Sequence, residues 1–122
     1  MAESDSIVFN LSKKFAVRIV KLYKHLVEEG KEFAMSRQIL RSGTSIGANI
    51  AEALNAFSRP DFVYKMQIAR KEAAETAYWL ELLHATDYLN DLGFESLSRD
   101  CSTIEAMLTA ILKSTKANTP RL

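Results

Sequence analysis

The sequence has little of what a cross-linked or turn-rich protein needs. Among 122 residues there is one cysteine, Cys101, with two prolines and four glycines. A lone cysteine excludes an intramolecular disulfide and leaves a zinc cluster unsupported. A reducing, cytoplasmic setting is the expectation. So few prolines and glycines argue against a β fold built on tight turns. No apolar run approaches the ~20 residues of a membrane span. Met1 to Ser6 is polar and acidic without an apolar stretch, so no signal peptide is expected. Formal net charge is only +1, so an attraction of the whole molecule to nucleic acid is not implied.

What is present is a globular balance, 48% hydrophobic and 25% charged residues, in one domain spanning 1–122. Four segments show helical period, and none shows sustained strand alternation. The first runs from about Asn10 to Glu29, with Phe15, Ile19, Leu22 and Leu26 stepping by four and three and Gly30 as the expected C′ residue. A polar arm, 1–8, precedes it. The second runs from Ser36, as N-cap, to about Ala56, on Ile39, Gly43, Ile46, Ile50, Ala53 and Phe57. The third opens on Ser58, with Pro60 in its first turn and Asp61 three residues on. It continues through Phe62, Met66, Ala69, Ala73, Thr76, Leu80 and Leu83 to about Thr86 or Leu89. Asn90, Asp91 and Gly93 make the break. The fourth carries Phe94, Leu97, Cys101, Ile104, Leu108 and Ile111, and 117–122 reads as a frayed tail. Four helices of similar length on short loops predict an all-α, antiparallel, up-down-up-down four-helix bundle.

Two faces exceed what one bundle core requires. On a wheel of about 100° per residue the basic residues of the first segment occupy an arc of roughly 140°, and apolar residues fill most of the rest. In the third segment Tyr64, Ile68, Tyr78, Trp79 and Leu82 point largely away from the core stripe, among Lys71, Glu72 and Glu75. Aromatics mixed with charges resemble an oligomer interface; the plainer reading is that long side chains wrap the bundle edge.

Chemical constellations are thin. Glu81-Leu82-Leu83-His84 is a Glu-x-x-His, yet a di-iron bundle needs a second such motif and two more inward glutamates, so no metal or cofactor is expected. His25 reads as a solvated histidine and Cys101 as a buried thiol. Gly43 to Gly47 lacks the lysine and the preceding strand of a phosphate loop. No catalytic set is visible. Lys13, Lys14, Arg18, Lys21 and Lys24 form the one row with a natural external ligand, the phosphates of RNA or DNA; a solvated helix face is the plainer reading.

Several stretches carry a resemblance: Phe15 with Arg18, Leu22-Tyr23-Lys24, Ser36-x-Gln38-Ile39-x-Arg41-Ser42, Ser45-Ile46-x-x-Asn49-Ile50-Ala51-Glu52-Ala53, and Lys65, Ala69, Glu72, Ala73, Glu75-Thr76 and Tyr78-Trp79-Leu80. Over about residues 9 to 112 the chain resembles the 23S rRNA intervening-sequence protein family, and the accessory protein of diversity-generating retroelements looks like a relative. The resemblance implies an antiparallel four-helix bundle that assembles into a ring-like homopentamer, and it does not imply an enzyme; none is expected. The retroelement relative binds a reverse transcriptase and nucleic acid through a basic surface. That implies RNA or DNA, or a partner protein such as a reverse transcriptase, as partners here, and no membrane. Within the most specific block, Gly43, Gly47 and Ala51 form a strip without bulk for close helix approach. Arg41, Ser42, Ser45, Asn49 and Glu52 gather beside it as a polar lock, in which Ser42 and Asn49 need hydrogen-bond partners.

Overall fold

The computed structural model describes residues 2–117. Four helices follow one another: α1 (Glu3–Glu28), α2 (Met35–Leu54), α3 (Arg59–Ala85) and α4 (Asp91–Ala117). Each packs on two neighbours, in the pairs α1–α2, α2–α3, α3–α4 and α1–α4, and diagonal helices make no close backbone approach. This is the up-down-up-down bundle. The core is built from the expected stripes: Phe15, Ile19 and Leu26; Ile39, Ile46 and Ile50; Met66, Ala69, Ala73 and Leu80; Cys101, Ile104 and Leu108, all almost completely buried. Among the described residues no helix is long and apolar enough to cross a membrane.

The ends of the helices depart from the pattern reading. Most of the stretch expected as a polar arm is helical: α1 begins at Glu3, with Val8 already in the core and the Asp5 carboxylate accepting from the Ala2 backbone N–H at 3.2 Å. Glu3 and Asp5 also suit the positive end of the helix dipole. Gly30 does not take the left-handed conformation. Lys31 does, with φ 54°, and the Glu32 N–H returns to the Leu26 carbonyl at 2.9 Å. Gly30 matters for space instead: a Cβ there would lie 2.9 Å from the Leu26 carbonyl oxygen.

Ser36 is not the cap of α2. The cap position is Ala34, two residues earlier, and Ser36 is buried inside the first turn. The Glu32 carboxylate, reaching in from the loop, does the capping. Because α2 ends at Leu54, Phe57 leaves the core register and is fully exposed. Ser58 does cap α3, accepting from the Asp61 N–H at 3.2 Å, with Pro60 in the first turn.

The break between α3 and α4 falls at 86–90, earlier than Asn90, Asp91 and Gly93 suggest. Asp91 and Gly93 lie inside α4, and the Asn90 side chain accepts from the Gly93 N–H at 2.8 Å. Upstream, the Tyr88 N–H bonds the Leu83 carbonyl at 2.9 Å and the Asp87 N–H bonds the His84 carbonyl at 3.2 Å. That is the Schellman pairing, closed by Asp87 at φ 67°. An L-residue is strained there, whereas glycine is not. Asp87→Gly should therefore stabilise the fold by about 0.5–1 kcal/mol, read as a higher urea midpoint at unchanged slope. Of the frayed-tail segment 117–122, Ala117 still belongs to α4 and the rest lies outside the described residues.

Candidate functional site

α1 turns Phe15, Ile19, Leu22 and Leu26 inward, and the same period sets a second side outward. Lys13, Lys14, Lys21 and Lys24 are exposed, and none has an acidic partner among the described residues. Between them Val17 and Val20 are 52% and 37% exposed. Arg18 departs from this row. Its guanidinium lies toward α4, 2.6 Å from the Asp100 carboxylate and 2.9 Å from the Ser96 hydroxyl. A half-exposed pair of this kind is worth about 0–1 kcal/mol, but it turns Arg18 away from the open lysines. A solvent-open groove of about 320 Å³ lies beside it, lined by Leu11, Lys14, Thr103 and Ile104.

On α3, Tyr64 and Tyr78 are 59% and 57% exposed, and Ile68, Trp79 and Leu82 are half-buried. Trp79 packs against the core from one side. Its indole N–H donates to Glu75 Oε2 at 3.0 Å, and the Tyr78 ring meets it edge-on, centroids 5.0 Å apart. Arg41 of α2 reaches across to the same place and pairs with Glu72 at 3.1 Å and with Glu75. One guanidinium therefore serves two carboxylates. About three turns along α2, Glu52 pairs with Lys65 at 3.2 Å.

The rest of the Arg41 to Glu52 block works inside the bundle. Gly43 faces Ile19 so closely that a Cβ would lie 2.9 Å from two of its carbons, and Gly47 faces Ser12. The buried Ser42 hydroxyl is 2.9 Å from the Thr76 hydroxyl, which also bonds the Glu72 carbonyl at 2.8 Å. Asn49 donates to the Ser45 carbonyl at 2.9 Å and Ser45 to the Arg41 carbonyl at 2.6 Å, both within α2. The glutamates of α3 thus go to Arg41, while Ser42 meets a threonine. Thr76 sits on a core heptad position, and its hydroxyl was the available signal.

Groups suited to chemistry do not converge. The Cys101 thiol is buried, donates to the Ala73 carbonyl at 3.3 Å, and is pushed up to about 12 by burial and then by Glu105 and Asp100. His84 stacks on Phe94 at 4.2 Å and lies 2.7 Å from Asp91, while Glu81 points outward. Among the described residues no three His, Cys, Asp or Glu side chains gather as a metal site.

A search of curated proteins gives no match. The chain is similar to a protein of unknown function of the S23 ribosomal protein family from Bacteroides thetaiotaomicron, whose crystal structure is known. The two are 57% identical with a TM-score of 0.89, over 90% of this chain and 98% of the other. The family model for the 23S rRNA-intervening sequence protein matches residues 4–110. A bundle whose most specific block locks α2 between α1 and α3, matched over nearly its whole length, belongs to the 23S rRNA-intervening sequence protein family.

Proposed function

We propose that the chain is a non-catalytic, cytoplasmic scaffold or adaptor that works as a homo-oligomer, a ring of five being the assembly the family resemblance implies. The observation that carries this reading is the outer face of α3, where Tyr64 and Tyr78 stand more than half exposed beside Ile68, Trp79 and Leu82. Exposed apolar patches of this kind mark surfaces that bind another protein. Size-exclusion chromatography with light scattering should give about five times the 13.7 kDa protomer mass. A protomer mass at micromolar concentration overturns the reading. Trp79 contributes to its own core, so Tyr78→Glu is the cleaner probe and should lower the assembled fraction at least tenfold.

A second reading is favoured by the four exposed lysines of α1, which form no ion pair among the described residues: an accessory factor that binds RNA or DNA, alone or with a partner protein such as a reverse transcriptase. Contacts from four lysines to single-stranded RNA give a slope of about −3 in log affinity against log salt. Gel shifts at low salt with Lys14→Glu/Lys21→Glu test it. No shift by the unaltered protein ends this reading.

A further inference from the structure

We infer that the Lys13–Lys24 face of α1 and the Glu72–Leu83 face of α3 are the two halves of one contact between copies of the chain, so that the open lysines of α1 are seam residues. The inference rests on the self-association proposed above and assigns its surfaces.

Residues 13–24 carry five basic residues and no acid; residues 72–83 carry three glutamates and no base. The two stretches have equal length, about 17 Å along a helix. Their outer faces also match in kind. On α1, Lys13 and Lys24 bracket the exposed valines 17 and 20. On α3, Tyr78 and Leu82 lie about one to three turns beyond an acidic spot in which Glu72 and Glu75 share the single guanidinium of Arg41. Lys71 lies on the same face, about two turns before Tyr78, so the acidity of this face comes from its C-terminal part, where Glu81 follows. Lysine stems cover apolar and aromatic surface while their charged ends reach a carboxylate, and the valines complete the apolar centre.

Geometry requires a second molecule. α1 and α3 are diagonal in the bundle, with no close backbone approach, and both faces point outward, so one copy cannot close this contact on itself. The two faces differ, so the contact is heterologous. Each copy keeps one unused half after a single contact, and assembly continues until rotation closes it. A polyanion and a second copy would then compete for the same lysines.

Complementation tests the pairing. One variant, Lys13→Glu/Val17→Glu/Lys24→Glu, spoils only the α1 face; another, Tyr78→Lys/Leu82→Lys, spoils only the α3 face. Far-ultraviolet circular dichroism checks folding, with Tyr78→Lys alone replacing the pair if half-buried Leu82 proves essential. With the unaltered chain assembled, each variant alone should have the protomer mass by light scattering. Their equimolar mixture should give a species of twice that mass and no larger, because one intact half remains on each. An α1 variant that stays assembled overturns the pairing, as does a mixture that stays at protomer mass. An α1 variant that stays assembled but loses RNA retention assigns the lysines to nucleic acid instead. An unaltered chain of protomer mass fails the self-association reading itself, which separates the two failures.

Discussion

Gly43→Leu should destabilise the protein by about 3 kcal/mol, at the upper end of what overpacking a core costs. A Cβ at Gly43 would already lie 2.9 Å from both Cγ1 and Cγ2 of Ile19, and 3.3 Å from its Cβ. These atoms sit next to the α1 backbone on a β-branched side chain with little rotamer freedom, so they cannot swing aside. Either α1 moves or the leucine strains. Gly43→Ala sets a gain of about 1 kcal/mol in helix propensity against the same contact, and a small net loss is expected. Gly47→Ala is the internal control: its Cβ would meet the Ser12 hydroxyl at 3.2 Å, a looser contact with a smaller effect. Urea unfolding by circular dichroism reads all three. Adding Ile19→Ala to Gly43→Leu should recover part of the loss, since the cavity left by isoleucine accepts the leucine. An equal loss at both glycines would refute the Ile19 contact as the cause.

The second large effect belongs to Glu32. Its side chain is almost completely buried, and its carboxylate accepts from three backbone N–H groups at the start of α2: Ala34 at 3.2 Å, Met35 at 3.1 Å and Ser36 at 2.7 Å. A helix start has unpaired N–H groups and positive potential, and here no side chain of α2 supplies the cap. Burial alone raises the affinity of this carboxyl for its proton. The bonds from Ser36, Met35 and Ala34 outweigh that, and hold it below the usual 4.5. Glu32→Ala should cost about 2–3 kcal/mol, the range for charge-assisted bonds to a buried group. Glu32→Gln keeps an acceptor and should cost about half as much. The pH dependence follows from the sign. The folded state binds this proton less tightly than the unfolded chain, so the carboxylate stabilises fully above pH 4.5 and less as pH falls through the lowered value. The difference between the native chain and Glu32→Gln should therefore be largest near pH 7 and shrink toward pH 3. A constant gap would show that the charge does not matter.

These two sites differ in how far the sequence announces them. Gly43 and Gly47 stand four apart in a helix-patterned segment, and a strip without bulk is legible from that spacing. Which helix fills it is not, because Ile19 lies 24 residues earlier and nothing local links them. Glu32 gives no such sign. It sits in a loop beside Lys31 and Phe33, and Ser36 looks like the better cap by residue type. Ser36 loses because the hydrophobic register of α2 carries it into the buried first turn. Arg18 is a similar case. Its period places it in the basic row, while Asp100, 82 residues later, takes it out. The pairing of Arg41 with Glu72 and Glu75 also spans two helices, though the glutamates' spacing of three marks them as neighbours on one face.

Read alone, the sequence determined the number of helices, the inward face of each, the Ser58 start of α3 and the bundle class. All of these follow from a period of about 3.6 residues and from local hydrogen-bond chemistry. It also marked the surplus faces, since charge and apolar content around a helix are properties of that helix. The tertiary structure alone decided which lysines stand open, which aromatics reach solvent, and which carboxylates are already engaged. Phe57 left the core because α2 ended three residues before it. The reason is common to all: a side chain's partner depends on which residues of other helices arrive beside it, and helical period carries no record of that.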